Sequence, residues 1–252
     1  MENFERRVEM KPAFMRFNEL TKSAIYCDYH IHTVQTDGDA TVEEYIQAAI
    51  NKGLKEIAFT EHVRKSSGWY ESFVKEVENL RKKYKSKLTI FYGIEAKVLD
   101  YDGNIDATED MIHKSEIVLG SVHRYPRGDG NYLNFQELSC DDAAKIEFEL
   151  ACAIVKNPNV DVLAHPGGVF EKQFNTIFPR KYLEKLIIMA NHYNKAIEIN
   201  SSYLKDPSSF LNLCSKLNPL VSLGSDAHNT MQLGSVIKLM NREIWQRVEN
   251  ND

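Results

Sequence analysis

A chain of 252 residues, 43% of them hydrophobic, is long enough to bury one sizeable core undivided. Its formal charge of −5 and pI near 5.9 exclude the global positive field that holds proteins on nucleic acid or an anionic membrane. The longest apolar runs, such as Leu186 to Ala190, are far too short to cross a bilayer.

Residues 1–24 read as a charged, partly helical extension leading into a single domain over 25–252. From there, β-rich segments at 25–31, 55–60, 88–96, 116–122, 160–164, 196–200 and 220–224 alternate with other segments. Helical spacing occurs between most of them, at 41–52, 70–84, 140–156, 179–194, 207–217 and 230–247. The first helix carries its own boundaries. Thr41 caps it with Glu44 three residues on, Val42, Tyr45, Ile46 and Ala49 make one face, and Gly53 stops it. Residues 97–106 read instead as an excursion or hairpin turning at Asp102–Gly103. Strand–helix alternation implies mostly parallel strands with helices outside, since a parallel crossover needs a helix-length connection.

Six of the eight histidines fall at or just past the end of an expected strand. His30 and His32 close the first in YHIH, His62 the second in FTEH, His123 the fourth in GSVH and His165 the fifth in LAHPG. His228 follows the last, in GSDAH. Carboxylates fill the gaps: Asp37 in the first loop, Glu95 in GIEA at the end of the third strand, and Asp226 in GSDAH. In a parallel barrel the C-terminal strand ends open onto one face, so these nine groups are expected to converge there. His30 and His32, two apart on a strand, point to the same side.

Crowded carboxylates repel one another, and clustered imidazoles lose protons or burial. Divalent cations remove that cost, because neutral imidazole and carboxylate are their preferred ligands. Histidine and carboxylate without thiolate favour Zn, Mn or Fe over Ca or Mg, and nine ligands suit two or three ions rather than one. Singly, each signal is weak. An HxH on a strand is ambiguous, and His165-Pro166-Gly167-Gly168 reads equally well as a turn. Their common location is what a structural role for each histidine does not predict. His113, following an expected helix in ATEDMIHK, and His192, late in the 179–194 helix where a cation suits the dipole, stand at no strand end and are left out of the site.

The motifs HIHTVQTDG (His30 to Gly38), TEH (Thr60 to His62), GIEA (Gly93 to Ala96), GSVH (Gly120 to His123), AHPG (Ala164 to Gly167) and GSDAH (Gly224 to His228) occur in a telling order. In this order, and from about residue 25 to 240, the chain resembles the PHP family, the polymerase and histidinol phosphatase family. The resemblance implies an α/β fold, a distorted TIM-like barrel of seven β/α units, with a trinuclear metal site at the C-terminal strand ends. Carried over motif by motif, it gives the first metal His30, His32, Glu95 and Asp226. Glu95 would bridge to a second metal held by His123 and His165, and a third would take Asp37, His62 and His228. The stretch GIEAKVLDYDGNID looks closer to the small stand-alone members than to polymerase-attached domains.

Such a centre implies metal-dependent phosphoester hydrolysis, in which a water acidified by one ion attacks phosphorus and the others hold the phosphate oxygens. Three divalent ions would bring +6 against −3 from Asp37, Glu95 and Asp226, so the mouth would attract an anion. Arg64 in TEHVR and Arg124 in SVHR stand beside ligands and are expected to bind phosphate oxygens bidentately; the alternative for each is a surface ion pair. Glu61 and Asp28 flank ligands as supporting groups or as proton donor to the leaving group. The stretch RYPRGDGNYLNF is a candidate lid, or else a surface connection.

The expected activity is that of a phosphatase acting on a small phosphomonoester of histidinol phosphate, nucleotide or sugar phosphate type. Phosphodiester cleavage of nucleotides or short oligonucleotides is a second reading. A non-catalytic metal-binding scaffold is a third, against which stands the filling of every matched position. Long nucleic acid is not an expected partner, since no basic, aromatic-interleaved stripe is present. Cys27, Cys140, Cys152 and Cys214 are widely spaced with no CxxC pair, which suits reduced thiols. The opening MENFERRVEMKPAF mixes charge signs and lacks the apolar core of a secretory signal, so the expected address is the cytoplasm.

Overall fold

Alternation of buried strands with capped amphipathic segments sets the architecture. In the computed structural model, which describes residues 10–245, the strands are β1 (Met15–Arg16), β2 (Cys27–Ile31), β3 (Glu56–Val63), β4 (Thr89–Lys97), β5 (Ile117–Ser121), β6 (Val162–Leu163), β7 (Ala196–Asn200) and β8 (Leu220–Gly224). The helices are α1 (Val42–Asn51), α2 (Tyr70–Tyr84), α3 (Glu109–Lys114), α4 (Cys140–Lys156), α5 (Gly168–Phe174), α6 (Arg180–His192), α7 (Pro207–Leu217) and α8 (Ser235–Met240), the last running into a π-helical turn over Asn241–Trp245.

Strands β2 to β8 pair in parallel and in chain order, while β1 adds antiparallel to β8. The ladder does not continue from β8 to β2. Instead a single parallel bridge, Ile31 to Ala227, draws the two together at the C-terminal mouth: the Ala227 N–H donates to His30 O (3.1 Å) and the His32 N–H to Ala227 O (2.9 Å). The fold is thus a distorted seven-unit β/α barrel, open along one seam. Strands buried on both faces read as apolar runs, as IAF in β3 and IVL in β5 do. On the outer face Phe59 of β3 meets Tyr45 of α1 edge-on, ring centroids 6.2 Å apart.

Local chemistry explains the boundaries. Thr41 and Glu44 form the expected capping box on α1, Ser139 caps α4, and Asp206 caps α7 with Pro207 at its first position. The excursion after β4 closes on an antiparallel bridge between Val98 and Ile105. Two elements differ from the sequence reading. Helix α5 forms where no helix was expected, because Gly167 takes a left-handed φ of 84° that turns the chain straight from His165 into a helix. Helix α8 begins only at Ser235, since the Asn229 side chain accepts from the Met231 and Gln232 N–H groups and holds the preceding residues in a turn. Of the expected N-terminal extension, residues 1–9 lie outside the described residues. The remainder adds β1 to the sheet and a 3-10 turn at Phe17–Glu19. Among the described residues no helix is long and apolar enough to cross a membrane.

Candidate metal centre

The strand ends deliver all nine expected side chains to one mouth. His30 and His32 at the end of β2 are fully buried, with their Nε2 atoms 3.5 and 3.6 Å from Glu95 Oε2 of β4 and 3.4 and 3.0 Å from Asp226 Oδ1 beyond β8. The other Glu95 oxygen lies 3.0 Å from His123 Nε2 and 2.8 Å from His165 Nε2. His62 spans two carboxylates, Nδ1 at 2.7 Å from Glu95 and Nε2 at 3.4 Å from Asp37, and His228 Nε2 lies 3.3 Å from the same Asp37 oxygen. The cluster grades from buried to open. Glu95 and the two β2 histidines are inside, His62, His123 and His228 are half-buried, and Asp37 is exposed.

Several buried atoms here have no hydrogen-bond partner: His30 Nε2, both ring nitrogens of His32, and Glu95 Oε2. Each such atom costs about 1–3 kcal/mol unless something satisfies it. Charge is unevenly distributed over the cluster. Burial opposes charge on His30, yet Glu198, Asp226 and Glu95 outweigh it and hold its pKa well above the ordinary value. Burial likewise opposes charge on His62, but Glu95 and Asp37 push it up to about 10. His32 goes the other way, lowered to about 4 by burial with the neighbouring His62 and His30. Glu95 and Asp226 are held low by these histidines against their own burial. Unpartnered nitrogens converging on unpartnered carboxylate oxygen are what a divalent cation satisfies, and three overlapping groups have the spacing for one: His30, His32 and Glu95; His62, Glu95 and His123; His32, His62 and His228.

Backbone geometry marks the same place. Among the described residues five other than glycine have positive φ, and three are asparagines, which tolerate it. The others are His165 (φ 25°) and Asp226 (φ 50°), both in the cluster, where such strain costs on the order of 1–3 kcal/mol.

Support comes partly from residues the sequence reading passed over. Glu198 of β7 is fully buried, with Oε1 2.7 Å from His30 Nδ1 and Oε2 accepting from the His165 N–H at 2.6 Å. Gly224 makes room for it: a Cβ there would stand 2.0 Å from Glu198 Oε1 and 2.8 Å from His30 Cβ. The signal was a lone carboxylate inside the apolar strand AIEIN. Tyr203, also passed over, lays its ring over His165 at 4.7 Å.

Asp28 and Glu61 turn away from the cluster. Asp28 accepts from the Ser225 N–H (2.9 Å), the Gly234 N–H (2.7 Å) and the Ser225 hydroxyl, clamping β2 to the segment that carries Asp226. Burial pushes its carboxyl up to about 6. Glu61 precedes His62 on a strand and so projects to the opposite face. It accepts from the Thr33 N–H (2.9 Å) and the Thr36 hydroxyl, tying down the loop that bears Asp37. His113 lies in α3 and His192 at the end of α6, outside the cluster.

Two cavities flank the cluster. One, of about 230 Å³, is bordered by His62, Glu95 and His123 together with Arg64, Arg124 and Lys97. Both arginines are exposed and make no ion pair among the described residues, whereas Lys97 lies 3.4 Å from Asp106. The candidate lid reaches this side: its Pro126–Tyr132 bridge closes a hairpin whose Tyr132 ring sits 5.3 Å from Lys97 Nζ. The other cavity, of about 510 Å³, opens beyond Asp226 and His228 and is walled by Tyr203, Lys172 and Lys205.

Known proteins share this frame. A protein named as a probable phosphatase from Caldicellulosiruptor saccharolyticus is 31% identical over 212 residues, covering 79% of this chain and 78% of that one. Another so named, from Clostridium novyi, is 31% identical over 238 residues, covering 88% and 86%. The crystal structure of histidinol phosphate phosphatase from Lactococcus lactis, complexed with zinc, L-histidinol and phosphate, superposes with a TM-score of 0.68 at 21% identity over 87% of this chain and 92% of that one. At that identity the likeness is one of fold. The PHP domain model matches residues 28–202, and by that match the chain belongs to the PHP domain family.

Proposed function

We propose that the protein is a cytoplasmic metal-dependent phosphatase that hydrolyses a small phosphomonoester. The observation that carries this reading is the set of buried histidine and carboxylate atoms that, among the described residues, have no partner and open onto a cavity edged by two arginines without an ion pair. His30, His32, Glu95 and Asp226 would hold one ion, Glu95 with His123 and His165 a second, and Asp37, His62 and His228 a third. Bound divalent ions supply a nucleophile at neutral pH by acidifying water, and stabilise charge on phosphoryl oxygens.

The chain's own residues do the rest. Arg64 and Arg124 grip non-bridging phosphate oxygens, and their planar forks orient the phosphorus toward the cluster. Glu198 accepts at His30 Nδ1, which turns the Nε2 lone pair inward. We assign Glu61 a positioning role in place of a catalytic one, since both its oxygens are engaged by Thr33 and Thr36. The smaller cavity suits a phosphate, and the larger one the alcohol it leaves. The relatives named as phosphatases support the reaction class, and the zinc and phosphate of the Lactococcus lactis protein support the chemistry of the site.

The test is phosphate release from an aryl phosphate with Mn or Zn added. The wild-type chain should turn over, and a His30→Ala, His32→Ala variant should not. Equal, background-level release from both under each metal rejects the reading. A metal count by emission spectroscopy separates catalysis from a scaffold role, for which fewer than about two ions are expected.

A further inference from the structure

Resting on the phosphatase reading, we propose that the alcohol released by this enzyme itself carries an anionic group, a carboxylate or a second phosphate, bound by Lys172 and Lys205. Both lysines line the cavity of about 510 Å³ that starts at Asp226 and His228, so a substrate whose phosphorus sits over the cluster has its leaving group there. That volume is in the range of small-molecule sites and admits a sugar-sized alcohol.

The charge of the cavity wall selects the class. Lys172, on α5, holds its ammonium 5.8 Å from the Tyr203 ring centroid and pairs with no carboxylate among the described residues. Lys205, in the loop before α7, donates to Asn175 Oδ1, a neutral acceptor, and forms no ion pair among the described residues, with Glu171 the carboxylate within its electrostatic reach. Among the described residues two carboxylates border this space, and both are already engaged. Asp226 belongs to the metal ligands, and the buried Glu171 spends one oxygen on the Phe178 N–H and the other on the Lys205 N–H. Gln232 and Ser202 are neutral. An alcohol bearing an ammonium group would face two lysines and the metal cluster together, with only the buried Glu171 to offset them. An alcohol bearing an anion meets complementary charge on both sides. Tyr203 supplies a flat apolar wall between them.

The metal-loaded full chain should be assayed on phosphoglycerate, glycerol phosphate and phosphoethanolamine, whose leaving groups are similar in size and are negative, neutral and positive. Fructose bisphosphate adds a second-phosphate arm, and histidinol phosphate a second cationic one. The expected order of kcat/KM is anionic, then neutral, then cationic, with about tenfold or more between the extremes. Whether phosphoglycerate or fructose bisphosphate leads tells carboxylate from second phosphate. Because both lysines are exposed, a Lys172→Glu, Lys205→Glu variant should fold normally and collapse or invert that ratio. Equal rates across the series, or preference for phosphoethanolamine or histidinol phosphate, overturn the proposal. An unaltered ratio in the double variant overturns the assignment to these lysines. Failure to release phosphate from any of the monoesters, or from an aryl phosphate, instead removes the phosphatase reading itself.

Discussion

Replacing Glu198 by Gln is the sharpest probe of how the chain builds the proposed metal centre. The side chain is wholly buried and both oxygens are acceptors, one for His30 Nδ1 at 2.7 Å and the other for the His165 N–H at 2.6 Å. A glutamine keeps one carbonyl oxygen and puts an NH2 where the second acceptor was. That group must then face a donor, either the ring N–H of His30 or the backbone of His165. One ligand loses either its ring orientation or its anchored backbone, and the latter is already strained at φ 25°. Loss of a carboxylate supporting a ligand histidine weakens metal binding about 10–100-fold. That corresponds to roughly 1.4–2.7 kcal/mol. Competition against a chromophoric chelator measures it directly, with ion stoichiometry counted in parallel and circular dichroism confirming the fold. Gly224→Ala is the companion variant, because its Cβ would displace the same carboxylate from 2.0 Å away. An E198Q protein that folds and holds its ions as tightly as wild type would falsify the positioning role.

Asp28→Ala should lower unfolding free energy by about 3 kcal/mol in urea, because it strands the buried Ser225 and Gly234 N–H donors; a loss under about 1 kcal/mol would show that this clamp is unimportant. Arg124→Ala is expected to lower kcat/KM on a phosphomonoester about tenfold, discounted for the exposure of the guanidinium, and a change below twofold would place this arginine outside the phosphate site. Glu147, outside the ligand set though within electrostatic reach of His165, offers a pH test. Burial pushes its carboxyl from 4.5 up to about 7 although the Tyr125 hydroxyl and the Phe170 N–H donate to it. The folded state therefore holds this proton more tightly than the unfolded state. Its contribution is fully present below the ordinary carboxyl pKa of 4.5 and is lost as pH rises through about 7. Against Glu147→Gln, the wild type should lose about 3 kcal/mol across that window, and parallel stability curves for the two would contradict the assignment.

Much of this architecture could be read along the chain because it is written in consecutive residues. The capping box of Thr41 and Glu44, the apolar runs of β3 and β5, and the turn at Gly103 each depend on neighbours a few positions apart. The ligand motifs are legible for a related reason: a parallel barrel sends every C-terminal strand end to one mouth, so location along the sequence implies proximity in space. The period of two along a strand also bears on Glu61, whose place next to His62 sends it to the other face.

Tertiary structure alone decided the pairings. His30 finds Glu198, 168 positions away, because β7 and β8 pair in register across Glu198–Ser222 and Asn200–Gly224, and because Gly224 leaves a gap there. Asp28 clamps β2 to the segment after β8 because the two meet through the single bridge of Ile31 and Ala227, which no local pattern records. Helix α5 and the basic wall of the larger cavity depend likewise on how Gly167 turns beneath Phe178 and on how two loops meet. Sequence periodicity states which face of an element is buried. Which partner it meets there follows from register and closure, properties of the assembled sheet.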